Sequence, residues 1–185
     1  MSKKIIASVF IATSLDGFIA RKNGELDWFV KANEVVPKGE DCGFSPFMDS
    51  IDVLIMGRKT YEKVMSFGQW PYGETKVIIL SRCMVLIPSS LSNTVSHTSE
   101  TPPGLCKRLG GEGAERLYID GGTTIQSFLK EKLINDITIT TVPVILGSGI
   151  PLFAELSNDI QLKHIETKVY DFGFIQSKYE IEDFA

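Results

Sequence analysis

Three places in the chain set groups suited to holding phosphate directly after an apolar run. In Glu115-Arg116-Leu117-Tyr118-Ile119-Asp120-Gly121-Gly122-Thr123-Thr124-Ile125-Gln126-Ser127-Phe128-Leu129, a β-branched and aromatic stretch leads into a glycine pair and then into apolar residues at 125, 128 and 129. That pattern predicts a strand, a tight turn and a helix opening at Thr123 or Thr124. Glycines lack Cβ and let backbone N–H groups approach a ligand closely, and the first helical turn adds unpaired N–H groups and the positive end of the helix dipole. A diphosphate suits such a seat; a plain strand-to-helix connection is the alternative. Ile51-Asp52-Val53-Leu54-Ile55-Met56 runs in the same way into Gly57-Arg58-Lys59-Thr60-Tyr61, with two cations in the first helical turn. Cations there oppose the macrodipole by roughly 0.3–1 kcal/mol, so either a bound phosphate compensates for them or both side chains splay into solvent. The third place is Lys76-Val77-Ile78-Ile79-Leu80, which ends in Ser81-Arg82. Strand C-termini of an open α/β sheet line one crevice, where nucleotides bind, so the coincidence of three such ends says more than any one of them.

Other chemistries find little support. His97 and His164 are the only histidines, both in expected strands without a carboxylate or cysteine at ligand spacing, and read as structural. Gly147-Ser148-Gly149 lacks the spacing and the strand-turn-helix setting of a nucleophile elbow. Cys42, Cys83 and Cys106 are odd in number and widely spaced, which suggests neither a disulfide framework nor a zinc site and fits a reducing cytoplasm. No metal is expected.

The elements that must position these groups belong to one domain spanning residues 1–185, since 185 residues with 43% hydrophobic and 23% charged content suit a single sizeable core. A net charge of -4 and a pI near 5.3 argue against a nucleic-acid or anionic membrane partner. Lys3 and Lys4 before Ile5-Ile6-Ala7-Ser8-Val9-Phe10-Ile11-Ala12 superficially resemble a signal peptide, but no small-x-small cleavage site follows, and no run approaches the ~18 apolar residues of a membrane span. That segment, residues 4–13, reads instead as a first strand covered on both faces. Residues 21–43 form a long polar loop anchored by Trp28-Phe29, of the kind that commonly serves as a lid. A short helix follows from Phe44, with Ser45 as N-cap and Pro46 at its first position. Val85-Leu86-Ile87 and residues 93–97 are candidate short strands, and residues 102–109 a helix closed by Gly110-Gly111. The alternating stretch 135–146 and two segments near 161–170 and 173–181, split by Asp171-Phe172-Gly173, predict antiparallel strands at one edge of a mostly parallel sheet.

Five motifs then fall in one order: Ser14-Leu15-Asp16-Gly17-Phe18-Ile19-Ala20, Met56-Gly57-Arg58-Lys59-Thr60-Tyr61-Glu62, Leu80-Ser81-Arg82, Tyr118-Ile119-Asp120-Gly121-Gly122-Thr123, and Pro143-Val144-Ile145-Leu146-Gly147-Ser148-Gly149-Ile150-Pro151-Leu152-Phe153. Together they resemble the dihydrofolate reductase superfamily, closest to the riboflavin-biosynthesis reductase (RibD C-terminal domain-like) branch in its stand-alone form. The resemblance implies a three-layer α/β/α fold and NADPH as cofactor. Arg58, Lys59 and Thr60 with Ser81 and Arg82 would hold the 2′-phosphate and its surroundings. Gly121, Gly122, Thr123 and Thr124 would hold the diphosphate, Gly57 would also belong to the cofactor site, and Ala12 and the loop after Asp16 would border the nicotinamide with Ile19 close by. A strand ending in Ser81-Arg82, rather than in an acid gripping a free 2′-hydroxyl, itself favours NADPH over NADH. Relatives of this branch commonly dimerise, which implies a cytoplasmic homodimer acting on a small molecule.

The implied reaction is hydride transfer to a C=N or C=O carbon of a small heterocyclic or sugar-derived substrate, as in the reductase step of riboflavin biosynthesis. Dihydrofolate reductases support protonation with a buried carboxylate ahead of the second strand. Asp41 lies at about that distance before Gly57, and Asp27 beside Trp28 is the second candidate. A general acid there would need burial to lift its pKa toward neutrality; the other reading of Asp41, in a polar segment beside Glu40, is an exposed loop acid. Riboflavin reductases carry an arginine-bearing motif after the second helix, where this chain has Phe67-Gly68-Gln69-Trp70-Pro71-Tyr72. A dihydrofolate or pteridine reductase, and a nucleotide-binding module without turnover, are the alternatives.

Overall fold

Apolar and β-branched residues near the N-terminus form β1 (Ile6–Ser14), whose Ala7, Ser8 and Val9 are fully buried. A computed structural model describes residues 5–182, so Lys3, Lys4 and the expected strand start at residue 4 lie outside the described residues. Nine further strands follow among the described residues: β2 (Phe18–Ala20), β3 (Val53–Gly57), β4 (Lys76–Leu80), β5 (Val95–Thr98), β6 (Arg116–Asp120), β7 (Asp136–Val142), β8 (Ile150–Pro151), β9 (Leu162–Val169) and β10 (Ile175–Ile181). Five α-helices fall between strands in the described residues: α1 (Asp27–Ala32), α2 (Phe44–Asp49), α3 (Arg58–Met65), α4 (Pro102–Gly111) and α5 (Gly122–Lys130).

Eight strands are hydrogen-bonded in the order β5-β4-β3-β6-β1-β7-β10-β9, and β2 pairs with β8 separately. The pairs β5–β4, β4–β3, β3–β6 and β6–β1 are parallel, whereas β7–β10 and β10–β9 are antiparallel. The mostly parallel sheet with an antiparallel C-terminal edge, expected from the alternation pattern, is the observed architecture. By internal contacts the chain divides into two compact units: the chain through Ser8 with Ser50–Ile134, and Val9–Asp49 with the residues from Asn135 onward.

In the first unit, β3, β4 and β6 are buried on both faces because short crossover helices cover them, as parallel strands require. α3 buries Tyr61 and Val64, and α5 buries Ile125, Phe128 and Leu129, the helical spacing legible in the sequence. α4 opens as expected at its prolines, with the Thr101 hydroxyl accepting the Gly104 N–H at 3.4 Å. Val85-Leu86-Ile87, however, is no strand: Leu86 is exposed, and its carbonyl accepts a hydrogen bond from the Tyr61 hydroxyl at 3.1 Å.

In the second unit, the expected polar loop 21–43 contains α1 and a 3₁₀ turn, Asn33–Val35. Trp28-Phe29 is the one strong apolar anchor of that stretch, and the polar residues and glycines around it hide a six-residue helix. A helix of six residues is unstable alone and persists here because Trp28 is buried with Val142, Tyr170 and Phe174. α2 starts at Phe44, so Ser45 sits inside the helix and does not cap it.

The Ser14-Leu15-Asp16-Gly17 turn is fixed by one carboxylate. Asp16 accepts the Leu146 N–H at 3.0 Å, the Gly147 N–H at 2.7 Å and the Ser14 hydroxyl at 2.7 Å, while Ser14 Oγ accepts the Phe18 N–H at 3.0 Å. The Ser14 hydroxyl and these two backbone N–H groups hold the Asp16 carboxyl below its ordinary value of 3.8. A depressed folded-state pKa contributes stability above the unfolded value that is lost as pH falls through the folded one. Asp16→Asn is therefore expected to melt below wild type at pH 7, with the gap closing below about pH 4, as thermal unfolding across pH 3–7 would record.

A two-helix phosphate cradle as candidate functional site

β3 and β6 are neighbours in register, with Met56 opposite Asp120, so the glycine that follows each strand body reaches the same level. Each strand turns at once into a helix: Gly57 into α3 and Gly121 into α5, neither with a side-chain cap. The two turns interlock. A Cβ on Gly57 would stand 2.9 Å from Thr124 Oγ1, and a Cβ on Gly121 would collide with Thr60 Oγ1. Each helix thus places the threonine of its first turn over the glycine that starts the other. The close approach explains why both positions are glycine, and Gly121 is further constrained by φ +87°.

The first i→i−4 bond of α5 runs from the Ile125 N–H to the Gly121 carbonyl at 2.9 Å, which leaves the N–H groups of Gly122, Thr123 and Thr124 without acceptors inside the helix. Gly122 and Thr124 are buried and Thr123 is exposed. The Gly121 N–H, expected as a ligand donor, instead donates to its neighbour Asp120 Oδ1 at 2.8 Å. In α3, Lys59 is exposed, and the Arg58 guanidinium pairs with Glu62 at 3.2 Å across solvent. Exposed pairs of this kind contribute little, so the guanidinium can turn to an anion at small cost. At the end of β4, the Ser81 hydroxyl both accepts the Cys83 N–H and donates to the Cys83 carbonyl, each at 3.0 Å, while Arg82 is exposed. His97 lies in β5 with its Nε2 2.8 Å from the Ser81 carbonyl, a structural contact to that turn.

Asp120, unmarked in the sequence reading, is the acid with the most altered environment here. Burial pushes its carboxyl up to about 6, against the Gly121 N–H and the Tyr118 phenol, which pull it down. Burial likewise raises the Tyr72 and Tyr118 phenols. The available signal was an acid closing an otherwise apolar strand immediately ahead of a glycine pair.

The RibD C-terminal domain model matches residues 4–175. The chain belongs to the RibD C-terminal domain family. Among curated relatives it is 35% identical to YwjB of Bacillus subtilis (strain 168) over 173 residues, covering 92% of this chain and 94% of that one. Among solved structures it is similar to a Shewanella sp. PV-4 protein named for riboflavin biosynthesis, with 39% identity, a TM-score of 0.90 and coverage of 97% of this chain and 100% of the other. A dihydrofolate reductase from Enterococcus faecalis, complexed with NADP(H), shares the fold at 14% identity and a TM-score of 0.64 over 99% of this chain and 100% of that chain. The resemblance read from five ordered motifs thus holds at the level of family and fold.

Within this RibD C-terminal domain, the expected site residues divide between the two units. Gly57, Arg58, Lys59, Thr60, Ser81, Arg82, Gly121, Gly122, Thr123 and Thr124 all lie in the first, whereas Ala12, Ile19, Asp27 and Asp41 lie in the second. Ala12 packs against the Trp28 cluster, and Ile19 sits in β2, whose partner is β8. The two proposed proton donors do not meet the condition set for them. Asp27 forms a forked pair with Arg21, at 3.0 and 2.9 Å, and this partner holds its carboxyl below the ordinary range. Asp41 is exposed and accepts the N–H groups of Gly43 at 2.9 Å and Ser45 at 2.8 Å, and its hydrogen bonds with Ser45 lower its pKa. Both are ionised structural acids, a helix anchor and a turn cap, because their neighbours stabilise the charge instead of desolvating it.

Proposed function

We propose that the chain is an NADPH-dependent reductase that transfers hydride to a C=N or C=O carbon of a small heterocyclic or sugar-derived substrate. The observation that carries this reading is the interlocked pair of uncapped helix N-termini at Gly57 and Gly121, a cradle that any Cβ would fill. Backbone N–H groups of Gly122, Thr123 and Thr124 would hold the diphosphate, and Arg58, Lys59 and Arg82 the 2′-phosphate. Bound there, NADPH would supply the hydride. The protein's own residues orient the cofactor and exclude water around it. Support for the cofactor comes from the shared fold with a dihydrofolate reductase complexed with NADP(H), and support for the pathway from the Shewanella relative named for riboflavin biosynthesis.

The substrate reading stays wider than the riboflavin precursor. Phe67-Gly68-Gln69-Trp70-Pro71-Tyr72 carries no arginine where riboflavin reductases bear one for a phosphorylated sugar. In its place stands an aromatic run, with Trp70 edge-on to Tyr72 at 5.1 Å between ring centroids. The missing arginine weakens the case for a phosphosugar and keeps a pteridine as the second reading. We place the enzyme in the cytoplasm as a homodimer, with residues 1–185 acting as one catalytic domain. Titration with NADPH, followed by its fluorescence, is expected to saturate at micromolar cofactor; no binding at millimolar NADPH would end the reading. Oxidation of bound NADPH by dihydropterins but not by riboflavin precursors would select the pteridine class.

A further inference from the structure

Asp120 stands at the head of the phosphate cradle, and the groups around it make an unusual setting for a carboxylate. Its Oδ1 accepts the Gly121 N–H at 2.8 Å, and the Tyr118 phenol, from the same strand, donates to the same carboxyl. The Tyr72 phenol faces it from the segment after α3. β3, paired with it at Met56, presents Val53, Leu54, Ile55, Met56 and Gly57, none of which titrates. The first turn of α5 presents Gly122, Thr123 and Thr124, likewise without charge. Among the described residues, two neutral phenols and one backbone amide meet the carboxyl, and the cations Arg58 and Lys59 that open the neighbouring α3 are not among its hydrogen-bond partners.

Ionised, Asp120 would place a negative charge one residue from the helix N-terminus that is to receive a diphosphate. Like charges brought together in a desolvated site raise the proton affinity of the titratable one. The carbonyl oxygen of a protonated Asp120 still accepts the Gly121 N–H, so the turn keeps its shape while the charge is removed. We propose that Asp120 is a positioning residue that takes up a proton when a nucleotide diphosphate occupies the α5 N-terminus, linking cofactor binding to proton binding. This rests on the cradle reading given above and adds a linkage to it. The protonated form binds the anion more tightly. Affinity is therefore flat at low pH and falls as pH rises through the free protein's ionisation near 6, by up to tenfold per pH unit, until the bound form's own ionisation is reached.

The test is calorimetric titration of NADPH at pH 7 in two buffers of different ionisation enthalpy, which reads the protons taken up per cofactor. Wild type is expected to take up more protons than Asp120→Asn, by roughly 0.4 to 0.9 of a proton for a free ionisation near 6 that rises by one unit or more. The cofactor's own 2′-phosphate titrates in both proteins and cancels in that difference. Equal uptake in two proteins that both bind NADPH overturns the linkage alone, whereas no NADPH binding to wild type overturns the cradle reading with it. Should Asp120→Asn fail to fold, the Asp120 carboxyl carbon can be titrated by NMR in wild type with and without NADPH. Its midpoint is expected to rise by at least one pH unit on binding, and an unchanged midpoint overturns the proposal.

Discussion

Gly121→Ala is expected to lower the melting temperature by roughly 10 °C and to abolish nucleotide binding. Two costs combine at this residue. With φ at +87° and ψ at 135°, outside the left-handed helical region, an L side chain adds about 1–3 kcal/mol of backbone strain. The new Cβ also collides with Thr60 Oγ1, and overpacking of this sort costs about 1–3 kcal/mol. A total near 3 kcal/mol in a chain of this size corresponds to roughly 10 °C. Thr60→Ala in the same chain removes the colliding hydroxyl but not the strained backbone, so the double variant should regain about half of the loss. Gly57→Ala is the internal control: its φ of -77° is ordinary and its Cβ meets Thr124 Oγ1 at 2.9 Å, leaving only the steric part. Thermal melts of the four proteins check the ranking, and a Gly57→Ala loss as large as that of Gly121→Ala would contradict it.

Arg58→Ala is expected to weaken NADPH roughly thirtyfold while leaving NADH within about twofold. A charge-assisted hydrogen bond to phosphate contributes about 2 kcal/mol, which corresponds to that factor. The fold should hardly notice the change, since the guanidinium's partner Glu62, at 3.2 Å, is exposed, and removing a cation from the first turn of α3 relieves its conflict with the helix dipole. Stability and affinity are thus expected to move independently, which distinguishes a ligand-binding arginine from a structural one. Raising the salt from 0.05 to 0.5 M should shrink the NADPH preference of wild type and leave that of Arg58→Ala nearly unchanged. Equal losses for NADPH and NADH would remove the 2′-phosphate role from Arg58. The same comparison at Arg82 should give a loss in the same direction, since it too is an exposed cation at a neighbouring strand end.

The sequence by itself determined which segments are strands and helices wherever a period was strong: the apolar runs of β3, β4 and β6, the 125, 128, 129 face of α5 and the hairpin of β9 and β10. Those assignments follow from local chemistry, because a strand buried on both faces or a one-sided helix writes its environment into neighbouring residues. The same local signals marked Gly57-Arg58-Lys59, Ser81-Arg82 and Gly121-Gly122 as strand ends suited to phosphate. Only the tertiary structure decided that Thr60 covers Gly121 and Thr124 approaches Gly57, since that depends on β3 and β6 lying side by side in register. It also decided which acid is perturbed. Asp27, Asp41 and Asp120 are one residue type, but Arg21 and the Ser45 turn stabilise the charge of the first two, whereas burial destabilises that of the third by more than the Gly121 N–H and the Tyr118 phenol offset. Arg21, Ser45, Tyr118 and Gly121 are all near their acids in sequence, but whether a carboxyl is left in solvent or buried is set by the fold around it, and burial is what separates Asp120 from the other two.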